Sequence, residues 1–389
     1  MSALPAEILA DILSRLPVKP LLRIRCVSKP WCALIDSSSF VKLHLNRSLE
    51  TKTNLSFILR DDHLHSVDFD SMDGVAEAMS LDHHPLRCQD YGTEVWGSCD
   101  GLICMSNALD TVVLWNPNTR KSRKLPYSPV EFEDASKFHA CRVYGFGYDS
   151  ASDDYKVVRI VALRSNDLSA FRYEVKVYSL KANSWHRAGK FPHYPNLKRT
   201  CGVLANGSLH WVVTQGFDVR KDGSIVAFDL AREDYHVVPQ PDYSDMNFFM
   251  LVHSLGGCLS IFCNYYLSRV DIWVMKEYDV KASWTRLISV AQPGVIGPFQ
   301  YLRPVTYSKD GREVLLEQDS SRLIWYDLKL KRARDVRIQG TQDMMMQMEL
   351  CVGSLIPLNG GGETDGKKQQ EKEERNMKDF LTKGFKLVL

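Results

Sequence analysis

The chain has 389 residues, 44% of them hydrophobic, and its 49 Lys and Arg against 47 Asp and Glu leave a net charge of +2. That balance excludes a disordered chain and supplies no overall field that would draw it to nucleic acid or to an anionic membrane. No apolar run approaches the roughly 20 residues that span a bilayer, and the opening residues have neither a basic nor a continuous apolar leader region, so membrane insertion and secretion are not expected. The ten cysteines are scattered. Close pairs such as Cys26 with Cys32, Cys99 with Cys104 and Cys258 with Cys263 match no zinc spacing, and they read as reduced core thiols of a protein in the cytoplasm and/or nucleus.

From Ala6 to Leu16 the residues Ile8, Ile12 and Leu16 recur every fourth position with Leu9 and Leu13 beside them, the stripe of an amphipathic helix. Pro5 suits its first turn and Pro17 stops it. A second short helix is expected from near Pro20, carrying Leu21, Leu22, Ile24, Cys26 and Val27 before the Ser28-Lys29-Pro30 cap and breaker. A third carries Trp31, Leu34 and Ile35. Three short helices cannot hide so many large apolar side chains among themselves, so part of this surface meets either the following domain or a partner.

The ordered motif Leu4-Pro5-x-Glu7-Ile8-Leu9-x-x-Ile12-Leu13-x-x-Leu16-Pro17, then Leu21-Leu22-x-x-x-Cys26-Val27-Ser28-Lys29-x-Trp31, then Leu34-Ile35 and Phe40, resembles the F-box family. The resemblance implies that these helices bind a Skp1-type adaptor and through it join the cullin and RING subunits of a ubiquitin ligase. The family's apolar contact positions fall here on Leu4, Pro5, Ile8, Ile12, Leu16, Pro17, Leu22, Val27 and Trp31. Apolar helix faces laid into a groove suit such a contact, although Trp31 could equally hold the three helices together.

Beyond about Asn46, β-branched and aromatic runs alternate with turn signals such as Asp100-Gly101, Asn116-Pro117, Asn206-Gly207 and Asp310-Gly311. One unit returns: an apolar strand ending in an aromatic, often followed by Asp or Asn. Its aromatics stand at 69, 115, 178, 228, 273 and 326, intervals of 45 to 63 residues. Four-stranded propeller blades of about 40 to 50 residues with one or two long loops match that spacing. Glu349–Ile356 reads as a last strand that closes the ring beside Leu55–Leu59. The set Cys99-Asp100-Gly101-Leu102, Trp115-Asn116-Pro117-x-Thr119-Arg120 and Gly145-Phe146-Gly147-Tyr148-Asp149 resembles the F-box-associated, kelch-like domain of plant F-box proteins, though paired glycines of a strict kelch blade do not recur.

The expected fold is therefore mainly β with a small α N-terminal domain: a three-helix F-box over 1–45, a kelch-like β-propeller of six units over 46–358, and a flexible charged tail over 359–389. No Gly-rich phosphate loop, nucleophile elbow or His-Glu-x-x-His pair is present, and His63, His65, His83 and His84 lack partners at metal spacing, so neither a cofactor nor a metal is expected. Cys26 is assigned to packing, and Lys329, Lys331, Arg332, Arg334 and Arg337 to a solvated strand and turn or an import signal. Together these readings, with the resemblance, give a non-catalytic substrate receptor of an SCF-type ubiquitin ligase. Its partners are the adaptor and a protein target met by propeller loops such as Ser128–Phe138, Arg164–Ala170 or Asp242–Asn247. The alternative is a propeller enzyme or lectin-like binder whose helices are merely structural, and it requires polar residues converging on a central pocket.

Overall fold

Prolines and serines punctuate the apolar N-terminal sequence and set its helices. Pro5 and Pro17 stand at the N-caps of α1 (Ala6–Leu13) and α2 (Val18–Ile24), where the missing N–H removes no intrahelical bond. Ser28 Oγ accepts from Trp31 N at 3.3 Å to cap α3 (Lys29–Asp36). A fourth helix, α4 (Ser38–Thr51), follows a second serine cap, Ser37 Oγ accepting from Phe40 N at 3.3 Å. It corrects the expectation of three helices and carries helical structure past residue 45. Its apolar periodicity is blurred because His44 and Ser48 are buried beside Phe40, Val41 and Leu45. This computed structural model describes residues 5–86, 92–107, 110–131, 138–165, 171–189, 194–195, 201–214, 223–245, 247–341 and 347–358; Leu4 and the tail 359–389 lie outside them.

Six sheets follow among the described residues, antiparallel within each blade except where one short strand joins the last. The first blade holds β1 (Leu55–Arg60), β2 (Leu64–Asp68) and β4 (Met79–Ser80), while β3 (Val75–Glu77) crosses to the last blade. The second is β5 (Thr93–Cys99), β6 (Leu102–Asn107), β7 (Val112–Asn116) and β8 (Lys121–Lys124). The third is β9 (Phe138–Asp149), β10 (Asp154–Ser165), β11 (Phe171–Ser179) and β12 (Ser184–Arg187). In the fourth, β13 (Tyr194–Pro195) and β14 (Val203–Ala205) share one edge of β15 (Ser208–Thr214), followed by β16 (Ser224–Asp229) and β17 (Tyr235–Val238). The fifth is β18 (Phe249–Leu255), β19 (Cys258–Tyr265), β20 (Arg269–Met275) and β21 (Trp284–Ala291). The sixth is β22 (Leu302–Tyr307), β23 (Glu313–Gln318), β24 (Arg322–Asp327) and β25 (Ala333–Gln339).

The ring closes twice. β26 (Gln347–Val352) supplies the first blade's innermost strand, antiparallel to β1 from Leu55 opposite Val352 to Arg60 opposite Gln347, as the sequence suggested. β3 pairs in parallel with β25, and Trp325 Nε1 donates to Met72 O at 3.0 Å beside it. First strands β26, β5, β9, β14, β18 and β22 adjoin one another around the axis. A six-bladed β-propeller results, without exposed ends to its inner ring.

Local chemistry explains the repeat. β5–β6, β14–β15 and β18–β19 are joined by Asp100-Gly101, Asn206-Gly207 and Gly256-Gly257, each pair with positive φ at both residues, the two-residue hairpin whose twist matches the strands. Only one of these is a glycine pair, so kelch-like is a loose label. At Gly101 a Cβ would also collide with Ser354. Third strands end in a polar cap. Asn116, Asp229 and Asp327 each accept two backbone N–H groups of the following turn, and that turn closes through a left-handed residue, Arg120, Glu233 or Lys331. The aromatics before those caps, Trp115, Phe228 and Tyr326, are buried between blades.

Candidate functional site

Helices α1 to α3 divide their apolar residues between two faces. Leu9, Leu13, Val18, Leu21, Leu34 and Ile35 are buried, whereas Ile8, Ile12 and Val27 are 48%, 46% and 69% exposed. Pro5 and Pro17 are exposed, and Leu16, Leu22 and Trp31 are half-buried against the helical core. So the structure brings the sequence-selected residues other than Leu4 to the outer part of this unit, with Trp31 also contributing to its packing. Cys26 is a correction: α2 stops at Ile24, so the thiol lies in a turn and is exposed, its Sγ 3.8 Å from Leu22 O.

Polar contacts between the helices fix the unit's shape. Arg47 on α4 reaches α1, donating to Asp11 O at 2.8 Å, Ser14 Oγ at 2.6 Å and Asp11 Oδ1 at 2.7 Å. Arg47 first, then Arg15, holds the Asp11 carboxyl below the usual carboxylate range. His44 sits in the interior with Nε2 2.9 Å from Leu16 O, and burial lowers its imidazole pKa.

Strand direction alternates within each blade. Turns between first and second and between third and fourth strands therefore gather at one end, while turns between second and third strands and the connections into the next blade lead to the other. Among the described residues, the side-chain bonds from the helices to the propeller go to the first end. Lys42 Nζ pairs with Asp153 Oδ1 at 3.0 Å in the β9–β10 turn, and Lys52 Nζ donates to Lys309 O at 3.4 Å in the β22–β23 turn. Residues 353–358 wedge alongside: Asn116 Nδ2 donates to Ser354 O at 3.2 Å and to Ile356 O at 3.1 Å, and Arg123 Nε to Leu358 O at 3.0 Å. Leu355, Ile356 and Leu358 belong to the same buried apolar cluster as Leu9, Leu13 and Leu21.

The three loops singled out from the sequence all lead to the opposite end, though 132–137, 166–170 and 246 lie outside the described residues. Residues 128–131 enter their loop under a tight clamp. Arg159 donates to Ser128 O at 2.6 Å and Glu174 Oε1 at 2.9 Å, Lys176 Nζ donates to Ser128 Oγ and Pro129 O at 3.0 Å, and Glu131 N donates to Glu174 Oε2 at 2.8 Å. Arg159, Glu174 and Lys176 are buried, so breaking this clamp leaves charges unpaired in the interior.

Polar groups on the inner strands engage one another. Arg303 Nε donates to Glu317 Oε2 at 3.0 Å, and Glu349 Oε1 accepts from Ser98 N at 3.2 Å. Gln347 uses its amide to receive Val95 N at 3.3 Å and to donate to Val95 O. Burial raises the Glu349 carboxyl and pushes the His253 imidazole down to about 3. The Glu349 and Gln347 bonds join the first and second blades, whereas Arg303 and Glu317 are cross-strand partners within the sixth. Among the described residues no group of three or more His, Cys, Asp or Glu is placed to hold a metal; His83 and His84 stand edge-on to Trp115, with ring centroids 6.0 and 6.5 Å away. No helix among the described residues is long and apolar enough to cross a membrane.

Sequence reasoning missed Tyr266 and Leu267, which are 49% and 72% exposed in the hairpin between β19 and β20. Both have positive φ, 20° and 56°, where the two-residue hairpins β5–β6, β14–β15 and β18–β19 place Gly, Asn or Asp. The available signal was a strand-turn-strand junction with two bulky residues at its tip.

Comparison with known proteins agrees with the fold. Residues 1–43 match the F-box domain family, and residues 55–355 match the F-box associated beta propeller domain family. The F-box protein CPR1 of Arabidopsis thaliana is 41% identical over 420 aligned positions that cover 100% of both chains. A second Arabidopsis thaliana F-box protein is 34% identical, again over 100% of both. An F-box/kelch-repeat protein of the same plant is 33% identical over 81% of this chain and 85% of its own. The chain belongs to the plant F-box proteins that carry an F-box-associated β-propeller.

Proposed function

We propose that the chain is the substrate receptor of a Skp1-cullin-F-box ubiquitin ligase, working in the cytoplasm or nucleus. The exposed Ile8, Ile12 and Val27 carry this reading: they are large apolar side chains left in water by a unit that buries their neighbours Leu9, Leu13 and Leu21. A Skp1-type adaptor covers that face, with Pro5, Leu16, Pro17, Leu22 and Trp31 at its margin, and cullin and RING subunits follow. The target binds at the other end of the propeller. The chain then performs no covalent step of its own; it raises the effective concentration of target lysines near the ubiquitin-loaded enzyme. The division of labour between an adaptor-binding helical unit and a target-binding propeller is part of the same proposal.

Capture of a purified Skp1-type adaptor by the intact chain tests this, with the Ile8→Asp, Ile12→Asp variant beside it. Intact protein is expected to bind and the variant to lose about a hundredfold or more with an unchanged circular dichroism spectrum. Failure of the intact chain to capture any adaptor would remove the proposal.

A further inference from the structure

The loops of the fifth and sixth blades at the end away from the helices form one continuous surface. Tyr265 Oη donates to Asp245 O at 3.5 Å, joining the connection 239–248 to the tip of β19. Gln292 N donates to Ser268 O at 2.7 Å, joining that tip to the connection 292–301. Asp319 Oδ1 accepts from Gln300 N at 2.9 Å and Tyr301 N at 2.7 Å, joining 292–301 to the β23–β24 turn. On this surface Tyr266, Leu267 and Val295 are exposed, Val295 by 60%, above a buried floor that includes Ile296 and Phe299.

Its loops carry charge of one sign. In 239–248, 266–268, 292–301 and 319–321 the charged residues are Asp242, Asp245 and Asp319, with no Lys or Arg. Asp242 is taken by Lys281 at 2.6 Å, whereas Asp245 and Asp319 have no ion-pair partner among the described residues. Strand-end cations beside it are engaged: Arg269 and Arg286 share Asp271 at 3.3 and 3.8 Å, and Arg322, which donates to Ile296 O at 3.1 Å, pairs with Asp335 at 2.5 Å. An apolar tip held between uncompensated carboxylates favours a partner bearing large apolar side chains flanked by Lys or Arg.

Resting on the receptor reading above, we infer that Tyr266, Leu267 and Val295, with Asp245 and Asp319, form the target-docking surface, and that its occupant is a Lys- or Arg-rich protein segment with an apolar anchor. A basic segment is steered in by the carboxylates and held by the apolar tip. An acidic segment is repelled by the same groups.

A display library of random peptides, panned on the full chain at low salt, tests the inference. The expected pool is enriched in Lys and Arg next to a large apolar residue, weakens as salt rises, and loses about tenfold or more in affinity to both Leu267→Gly and Asp245→Lys. Leu267→Gly relieves a left-handed leucine, so its melting temperature should not fall, which separates lost binding from lost folding. A pool without excess basic residues, a pool indifferent to both variants, or an empty pool overturns the inference. The same preparation is assayed for adaptor capture. Adaptor capture with an uncharged pool leaves the receptor reading standing and this surface wrong; a basic pool without adaptor capture does the reverse.

Discussion

In the helical unit Ile8 and Leu9 are chain neighbours of similar size, one 48% exposed and the other 6%. In the propeller, residues of the repeat such as Trp115, Trp211 and Phe228 are fully buried, and exposed apolar side chains are confined to turns and outer edges. The two regions thus spend their sequence differently. A propeller blade needs both sheet faces to pack on its neighbours, so substitution there acts through folding. A short helix needs only one face to fold, and its second face is left free to select a partner. The contrast also separates recognition: the helices carry an apolar interface on regular structure, and the propeller presents loops on a closed scaffold.

The most severe way to break the contrast is to open the ring. Deleting residues 347–358 removes β26 and the wedge under the helices, and should abolish the propeller's cooperative melting transition, read by calorimetry. Persistence of that transition would show that the β3–β25 latch alone suffices.

Lowering pH probes the buried side of the comparison. His210 places Nδ1 3.0 Å from Val203 O and Nε2 2.7 Å from Tyr278 Oη, and burial pushes its imidazole down to about 4. Because the folded pKa lies below the unfolded value near 6.5, the unfolded chain takes up a proton first as pH falls. Stability is complete above pH 6.5 and is lost toward pH 4, by about 3 kcal/mol from this residue. Denaturant midpoints from pH 7 to 4 should fall, and fall less steeply in His210→Gln.

Within the helices the neighbouring pair gives a sharper test. Leu9→Ala should destabilise by about 2 to 3 kcal/mol, whereas Ile8→Ala should stay within about 0.5 kcal/mol. Equal losses in chemical denaturation would mean that both faces are structural. At the propeller's loop tip a modest gain is expected: Leu267→Gly should stabilise by about 1 kcal/mol by removing a left-handed leucine.

Much of this was legible because turns announce themselves. Asn116, Asp229 and Asp327 cap the third strands behind buried aromatics, so the repeat could be read even without regular glycines. The closing strand was legible because an unpaired inner edge demands one. The helix α4 was not, since His44 and Ser48 interrupt its apolar stripe. Cys26 was misplaced because the apolar pattern runs on after α2 ends. Tyr266 and Leu267 left no periodic trace: an exposed apolar pair in a turn looks, in sequence, like the end of a strand.

Side-chain oxidation footprinting of the full chain, with and without a purified Skp1-type adaptor, tests the separation of the two regions most directly. The account predicts that the adaptor protects Ile8, Ile12 and Val27 and leaves Tyr266 and Leu267 as reactive as before. Unchanged reactivity at the helical residues in a complex that has formed, or protection at Tyr266 and Leu267, would contradict it.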